Sequence, residues 1–201
     1  MHGAHWMIVT QLDLAADPQY EDGKVALKVD GLDAPMRNVI RHALMADVPV
    51  QACDNVTFHA WDGRIESSMI AHRVGGIPIR GLDPLEFTIK VAAPDNKPLT
   101  WVTSLDIKGD DGRCVHGDAE DGIQLVPLLA GQQVHLVCKT SLGTGRKGTL
   151  WHSTHVVVQA AEEGTDTATY TLLTTGALTA TEAWRRAISS SMATFEQIMA
   201  L

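Results

Sequence analysis

The sequence predicts an α+β protein. Near the start, a strand-like alternation of apolar residues runs into a helix-like apolar stripe. A long middle part is rich in β-branched residues and turn signals, and the last part returns to a helical period. These changes of period along the chain predict helices and strands packed around a core, which 201 residues are enough to form.

The first elements are two strands. The stretch from Trp6 to Leu14 has the composition of a strand, and a turn-rich segment follows it. Val25, Leu27 and Val29 then alternate with polar or small residues, which is the period of a half-buried strand.

A helix follows Gly31, where the apolar period changes to steps of three and four. Asp33 can cap this helix, Pro35 suits its first turn, and Pro49 ends it. The apolar stripe consists of Met36, Val39, Ile40, Ala43, Leu44 and Val48. The opposite face carries Arg37, Asn38, Arg41 and His42.

The middle of the chain predicts a β-rich region with one helix. The helix covers Glu66 to Val74, and Gly75-Gly76 would supply the positive φ angles that favour a helix C-terminus. The segment 110–122 predicts a polar acidic loop. Strands are predicted at 56–60, 85–91, 99–103, 123–126, 134–138 and 155–158.

The last part predicts a strand at 168–173 and then a helix. Thr179 and Glu182 form a capping-box pattern at its start. Its apolar residues repeat at steps of four and three: Trp184, Ile188, Met192, Phe195 and Met199. This pattern fits an amphipathic helix packed on its own sheet and a dimerisation seam equally well.

Charge and composition exclude several classes of protein. The net charge is −8 and the basic residues are scattered, which disfavours direct phosphate binding. No apolar run approaches the roughly 18 residues that cross a membrane. Cys53, Cys114 and Cys138 are odd in number and far apart, so we expect reduced thiols, most simply as small buried residues.

The sequence offers weak signals for chemistry. Gly143 to Gly148 fits the dinucleotide-binding pattern GxGxxG, but that site needs a helix after the glycines, and the residues that follow are strand-like. The histidine pairs lack the spacing of a structural zinc site. We therefore expect no metal, no cofactor and no catalytic residue, and a nucleotide-binding enzyme is the least favoured alternative.

Two segments carry the motifs of a known protein family. Residues 38–49 (NVIRHALMADVP) are similar to the "NALRR…EVP" helix of the assembly subunits of RNA polymerase, which are bacterial alpha, its archaeal counterpart and the third-largest eukaryotic subunit. Residues 70–79 (IAHRVGGIPI) resemble the "AHRLGLIP" segment of the archaeal and eukaryotic members. Further similarity lies at 101–107 ("VTSxDL"), 128–151 and 174–178 ("ESTGxL"), so it covers most of the chain.

The resemblance implies an architecture and partners. The fold would be an interrupted α/β dimerisation domain, formed by residues 1–51 and 156–201, with a β-rich insert domain at 52–155. The protein would be a non-catalytic platform of an archaeal, eukaryotic or viral type of polymerase. It would pair with a small L-like subunit and dock the two largest subunits, without sequence-specific DNA contact. The cysteine clusters that some relatives carry in the insert are missing, so their metal is not carried over.

The resemblance also assigns residues to surfaces. The dimer interface would use both apolar patterns: Met36, Val39, Ile40, Ala43, Leu44, Trp184, Ile188, Met192, Phe195 and Met199. The large subunits would dock on Arg37, Asn38, Arg41, His42, His72, Arg73, Gly75, Pro78, Gly143 and Gly145. His42 stands where relatives have a second arginine, and Ser67-Ser68 replace an acidic pair, so those contacts depart from the family pattern.

The two apolar helical patterns predict a protein–protein interface. Together they exceed what we expect so small a sheet to cover, and a related second chain would cover the rest. A stand-alone adaptor that forms a homodimer is the alternative.

Overall fold

The computed structural model describes residues 8–12, 24–117, 119–160 and 166–199. The strands are β1 (Ile8–Leu12), β2 (Lys24–Asp30), β3 (Val50–Trp61), β4 (Glu86–Ala92), β5 (Leu99–Thr103), β6 (Ile107–Lys108), β7 (Gln124–Leu129), β8 (Gln133–Gly143), β9 (Thr154–Ala160) and β10 (Ala168–Thr174). The helices are α1 (Ala34–Ala46), α2 (Ser67–Gly75) and α3 (Ala180–Met199). The mixed helix-and-sheet class is confirmed. The ends of the first predicted strand and the turn after it lie outside the described residues.

The chain divides into two compact units. Unit 1 consists of residues 1–49 and 144–201, and unit 2 consists of residues 50–143. In the parts of the chain that the structure describes, no helix is both long and apolar enough to span a lipid bilayer.

Unit 1 is an antiparallel sheet covered by two helices. The strand order is β1-β2-β10-β9. Helices α1 and α3 contact each other and the sheet. Along β10, Ala168, Tyr170 and Leu172 are buried while the residues between them are half-buried. This alternation directs one face of the sheet towards the helices.

Helix α1 begins as predicted. The Asp33 carboxylate accepts a hydrogen bond from the Met36 N–H at 2.8 Å, and Pro35 lies in the first turn. The side chain of Asp33 therefore satisfies one of the amide groups that have no partner inside the helix.

Tyr170 links the sheet of unit 1 to both helices. Its side chain is fully buried, and its hydroxyl donates to the Arg37 carbonyl of α1 at 3.2 Å. Its ring meets the Trp184 indole of α3 edge-on, with 5.1 Å between centroids. A polar tip with a partner makes burial of the ring favourable.

Burial of Tyr170 makes the stability of the protein depend on pH in the alkaline range. Desolvation raises the pKa of its hydroxyl to about 12, partly opposed by Arg37. The unfolded chain loses this proton near pH 10 and the folded chain does not, so stability falls as pH rises from 10 to 12, by about 2 to 3 kcal/mol in total.

We expect the free energy of unfolding, measured with urea between pH 10 and 12, to fall less for Tyr170→Phe than for the wild-type chain. Burial also raises the pKa of Cys114 to about 12, and that contribution stays in both chains. The difference between the two chains therefore isolates Tyr170, and parallel pH profiles would contradict the assignment.

Unit 2 contains two antiparallel sheets and α2. One sheet has the order β3-β8-β4-β6, and the other pairs β5 with β7. Strands β3 and β8 are longer than predicted. Register shifts between Cys53 and Asn55 and between Phe58 and Ala60 interrupt the alternation that a sequence pattern detects.

The C-terminus of α2 corrects a prediction. Helix α2 ends at Gly75, one residue beyond the predicted Val74, and Gly76 has a φ of −76° rather than a positive value. Its N–H donates to the carbonyls of His72 and Arg73, and the Ile77 N–H donates to Val74. A tightened last turn thus satisfies the final carbonyls, so no left-handed residue is required.

Helix α3 has half of the predicted capping box. The Glu182 N–H donates to the Thr179 hydroxyl at 3.2 Å. The Glu182 carboxylate accepts from Arg185 and Arg186, one turn further along the helix. Both hydrogen bonds lower the pKa of that carboxyl, Arg186 contributing most.

Candidate protein–protein interface

A groove lies between α1 and α3 in unit 1. It encloses a cavity of about 450 Å³ with mostly apolar walls. The lining residues are Gly31, Leu32, Asp33, Met36, Val39, Ile40, Asp166, Ile188, Ser191 and Met192. A concave apolar surface between two helices is a common form of binding site.

Three large apolar side chains of the groove are open to solvent. Met36 is 39% exposed, Val39 is 38% exposed and Met192 is 58% exposed. They come from both helices and line one cavity, so they form a continuous patch rather than scattered residues. Continuous exposed apolar patches are common at interaction surfaces, and methionines adapt readily to a partner.

The chain itself covers the centre of the predicted interface. Ile40, Ala43 and Leu44 are buried in the core of unit 1. The expectation that the stripe exceeds what the sheet can cover is therefore wrong for these residues. The reason is that α3 packs directly on α1 and on the sheet, so the two predicted surfaces partly cover each other.

The first half of helix α3 packs on its own unit, which is one of the two interpretations that its pattern left open. Ala183 and Ala187 are buried, and Trp184 and Ile188 are half-buried against the core of unit 1. One turn further on, Met192 points to solvent. The side chains of Phe195 and Met199 lie outside the described residues. The first half of the helix thus packs on its own unit, while Met192 of the same apolar pattern is exposed.

The polar face of α1 is internally bonded. The Arg41 guanidinium donates to the Asn38 side-chain oxygen at 2.9 Å and lies 3.0 Å from the Nε2 atom of His42. Arg37 is half-buried and its carbonyl accepts from Tyr170. Three of the four predicted docking residues on this face, Asn38, Arg41 and His42, therefore form one cluster.

The loop after β8 is fixed to the end of α1. Arg146 makes a bidentate ion pair with the Asp47 carboxylate, through Nε to Oδ1 and through Nη2 to Oδ2 at 3.1 Å. The Arg146 N–H also donates to the Ala46 carbonyl at 3.2 Å. A short 3-10 turn (Thr149–Trp151) and β9 follow this loop. The helix that a dinucleotide site needs is therefore not there, as the sequence predicted.

Gly145 fits because it has no side chain. A Cβ atom there would lie 2.5 Å from the Met45 carbonyl oxygen and 2.8 Å from the Cδ2 atom of His152. We expect Gly145→Ala to destabilise unit 1 by about 2 kcal/mol, because the loop must move away from α1.

The matched control is Gly148→Ala in the same loop, where the nearest atom would be the Trp151 ring at an ordinary 3.5 Å. Thermal unfolding of both variants tests the prediction. Equal melting temperatures of the two variants would contradict the prediction, because the loop would then move away from α1 without a measurable cost in stability.

Some of the predicted docking residues of unit 2 are bonded or buried within the unit, and others are exposed. The Arg73 guanidinium donates to the Leu125 carbonyl of β7 at 2.7 Å and so attaches α2 to the smaller sheet. Gly75 is buried and Pro78 is half-buried, with its carbonyl bonded to Val115. His72 is exposed. Gly143 is the last residue of β8.

The cysteines and the possible metal ligands were the residue types considered for chemistry. Cys53, Cys114 and Cys138 are buried free thiols in unit 2. Over residues 24–117, 119–160 and 166–199, His, Cys, Asp and Glu form no group of three or more that could hold a metal ion.

Several of the known proteins that this chain resembles are DNA-directed RNA polymerase subunits. Archaeal relatives named subunit Rpo3 are among them, and two are described here. The Thermococcus kodakarensis protein is 31% identical over 132 residues, which cover 61% of this chain and 50% of the relative. The Methanocaldococcus jannaschii protein is 28% identical, over 63% of this chain and 65% of the relative.

A eukaryotic relative extends the comparison. The Dictyostelium discoideum subunit rpac1 of RNA polymerases I and III is 24% identical, over 64% of this chain and 46% of the relative. The chain thus matches between about half and two thirds of the length of these relatives. No protein-family model matches it. The relatives confirm the resemblance to polymerase assembly subunits that the motifs predicted.

Proposed function

We propose that this chain is a non-catalytic assembly subunit of a multisubunit DNA-directed RNA polymerase. The names of its archaeal and eukaryotic relatives support this proposal. The single structural observation that carries it is the apolar groove between α1 and α3, with Met36, Val39 and Met192 exposed along it. A surface of this kind suits lasting contact with another protein.

The partner in the groove is a small L-like subunit of related fold. Two α1–α3 pairs packed across a pseudo-two-fold axis would bury the exposed methionines of this chain against apolar residues of the other. Asp33 lies at the edge of the groove, where its carboxylate is held by the cap of α1. A polar rim around an apolar centre is the usual composition of a specific interface.

The resulting pair docks the two largest subunits, which perform polymerisation. The cluster of Arg41, Asn38 and His42 offers hydrogen-bond donors on α1, and the Gly145 loop offers a second contact in the same unit. His72 offers an exposed ring in unit 2. Arg73 acts within unit 2 through its hydrogen bond to Leu125, so we assign it a supporting role.

Co-purification tests the function. The full chain carries an affinity tag, is expressed in its own cells, and the bound proteins are identified by mass spectrometry. One small protein of related sequence and two very large chains are expected in equal amounts. Recovery of the tagged chain with untagged copies of itself alone would instead support the homodimeric adaptor, since the groove could also accept a second copy.

A further inference from the structure

The two-stranded sheet of unit 2 has one face on the core and one face towards solvent. Strands β5 and β7 pair so that Leu99 lies opposite Leu129 and Trp101 lies opposite Pro127. Three residues that alternate with these are buried in the core: Val102, Val126 and Leu128. Because successive side chains of a strand point to opposite faces, the four paired residues share the other face. We call Leu99, Trp101, Pro127 and Leu129 the outer face.

The outer face is apolar although it is open to solvent. Leu99 is 46% exposed, Trp101 is 42% exposed and Leu129 is 44% exposed, while Pro127 is half-buried. The solvent side of an antiparallel sheet is ordinarily polar. Side chains directly opposite each other lie about 5 Å apart, so these four form one continuous patch.

The area of the outer face limits the size of its partner. Its side chains expose on the order of 300 Å² of apolar surface, and a patch of this size on a monomer is often functional. A stable complex of two folded proteins buries about 800 Å² on each partner. The outer face supplies less than half of that area. It therefore suits a short segment better than a folded domain or a second copy of this chain.

A helix is the segment that fits two strands. With its side chains, an α-helix is about 10 Å across. Two neighbouring strands lie about 5 Å apart and present a strip of similar width. A helix laid on the face of a sheet is also one of the common layer arrangements of proteins.

Exposed carboxylates lie at one end of the outer face. The turn before β7 packs beside the end of β5, because the Ile123 N–H donates to the Ser104 hydroxyl at 3.0 Å and a Cβ atom at Gly122 would lie 2.9 Å from the same oxygen. Glu120 and Asp121 are exposed in this turn. Among the residues that the structure describes, neither carboxylate makes an ion pair.

The neighbouring cations do not cancel this negative charge. At the same end, the Asp106 carboxylate caps the turn after β5, and Arg73 donates to a carbonyl of β7. Lys108 belongs to β6 of the other sheet. At the opposite end, Asp95 and Lys97 balance each other in the connection before β5. A partner with basic residues is therefore favoured over a second copy, whose own carboxylates would meet these across a two-fold axis.

We propose that the outer face binds a short amphipathic helix of a partner protein. The apolar stripe of that helix packs on Leu99, Trp101 and Leu129, and its basic residues lie near Glu120 and Asp121. This contact is separate from the groove of unit 1 and includes none of the predicted docking residues, so it goes beyond the proposed function. Its small area suits a partner that binds and leaves rather than a permanent subunit.

A peptide titration tests the outer face. The probe is a fluorescent peptide of about 14 residues, with leucines at helical spacing and lysines elsewhere, and its anisotropy is followed as purified full chain is added. Trp101→Ser should weaken binding about tenfold or more, and Leu129→Ser about fivefold, because both remove apolar contact area. The matched control is Leu142→Ser in β8, a leucine that is 51% exposed and outside the outer face, which should bind as the wild-type chain does.

The charge of the partner is tested separately. The same peptide with glutamates in place of the lysines should bind more weakly, and Glu120→Lys should weaken binding of the lysine peptide about threefold. Asp83→Lys, which removes an exposed carboxylate in the bend before β4, should have a smaller effect.

Several results would overturn the proposal. One is that the wild-type chain does not bind the lysine peptide, and another is that Leu142→Ser weakens binding as much as Leu129→Ser. Circular dichroism verifies the fold of each variant, and if Trp101→Ser unfolds, Leu129→Ser decides. A wild-type dimer that Leu129→Ser converts to a monomer in sedimentation would show that a second copy occupies the outer face instead.

Co-purification separates this contact from polymerase assembly. The tagged Leu129→Ser chain should recover the small subunit and the two large chains as well as the wild-type chain does. Loss of a large chain would overturn the proposal, because the outer face would then belong to the polymerase assembly itself. If the wild-type chain brings no polymerase subunit at all, the proposed function fails, and the peptide titration still decides whether the outer face binds a basic amphipathic helix.

Discussion

Replacing Tyr170 by alanine is expected to lower the free energy of unfolding of unit 1 by about 4 kcal/mol. The ring is fully buried between the sheet and both helices, so its removal leaves a large cavity at their junction. It also leaves the Arg37 carbonyl of α1 without the hydroxyl that now donates to it. Urea unfolding measures the loss, and amide hydrogen exchange in β10 and α1 locates it.

Tyr170→Phe is the matched control because it keeps the ring and removes only the hydroxyl. Its expected cost is about 1 kcal/mol, the usual net value of one hydrogen bond. A loss below that value for Tyr170→Ala would mean that the helices do not depend on this ring.

The second large effect concerns association. Met192→Asp is expected to weaken pairing with the small subunit by about a hundredfold, because burying an unpaired carboxylate in an apolar interface is costly. Met192 is 58% exposed in the free chain, so its replacement should leave the fold unchanged. The ratio of small subunit to tagged chain after co-purification, measured by quantitative mass spectrometry, gives the result.

The control for the groove is Val157→Asp. Val157 is 56% exposed on β9 of the same unit but does not line the groove. It makes the same type of change at a similar exposure, and pairing should survive it. If both variants lose the small subunit equally, the effect reflects general damage to unit 1, and if neither does, the groove is not the interface.

Local signals predicted most of the helices and strands. The apolar stripe of α1 and the caps at Asp33 and Thr179 depend on residues within one or two helical turns. In the fold, the two cap side chains accept hydrogen bonds from residues at that same short separation. The prediction for Gly76 was wrong because two different terminal geometries satisfy the last carbonyls of a helix, and the sequence does not distinguish them.

The candidate sites were only partly predictable. The sequence pattern identified the apolar residues of both helices as interface candidates, but the burial of each one depends on how α3 packs on α1. The ion pairs of Arg185 and Arg186 with Glu182 could have been predicted, since Glu182 precedes both arginines at helical spacing. The pairing of Arg146 with Asp47 joins residues 99 positions apart, and no local pattern indicates it.

The sequence by itself determined the periodicity of each element and the motifs shared with polymerase subunits, because both are carried by residues close together in the chain. Only the tertiary structure decided which apolar residues are enclosed and which remain outside. Leu44 and Met192 belong to similar helical stripes, yet one is fully buried and the other is exposed. That difference arises where α1 and α3 cross on the sheet, because packing between elements, not the period within either one, removes a side chain from water.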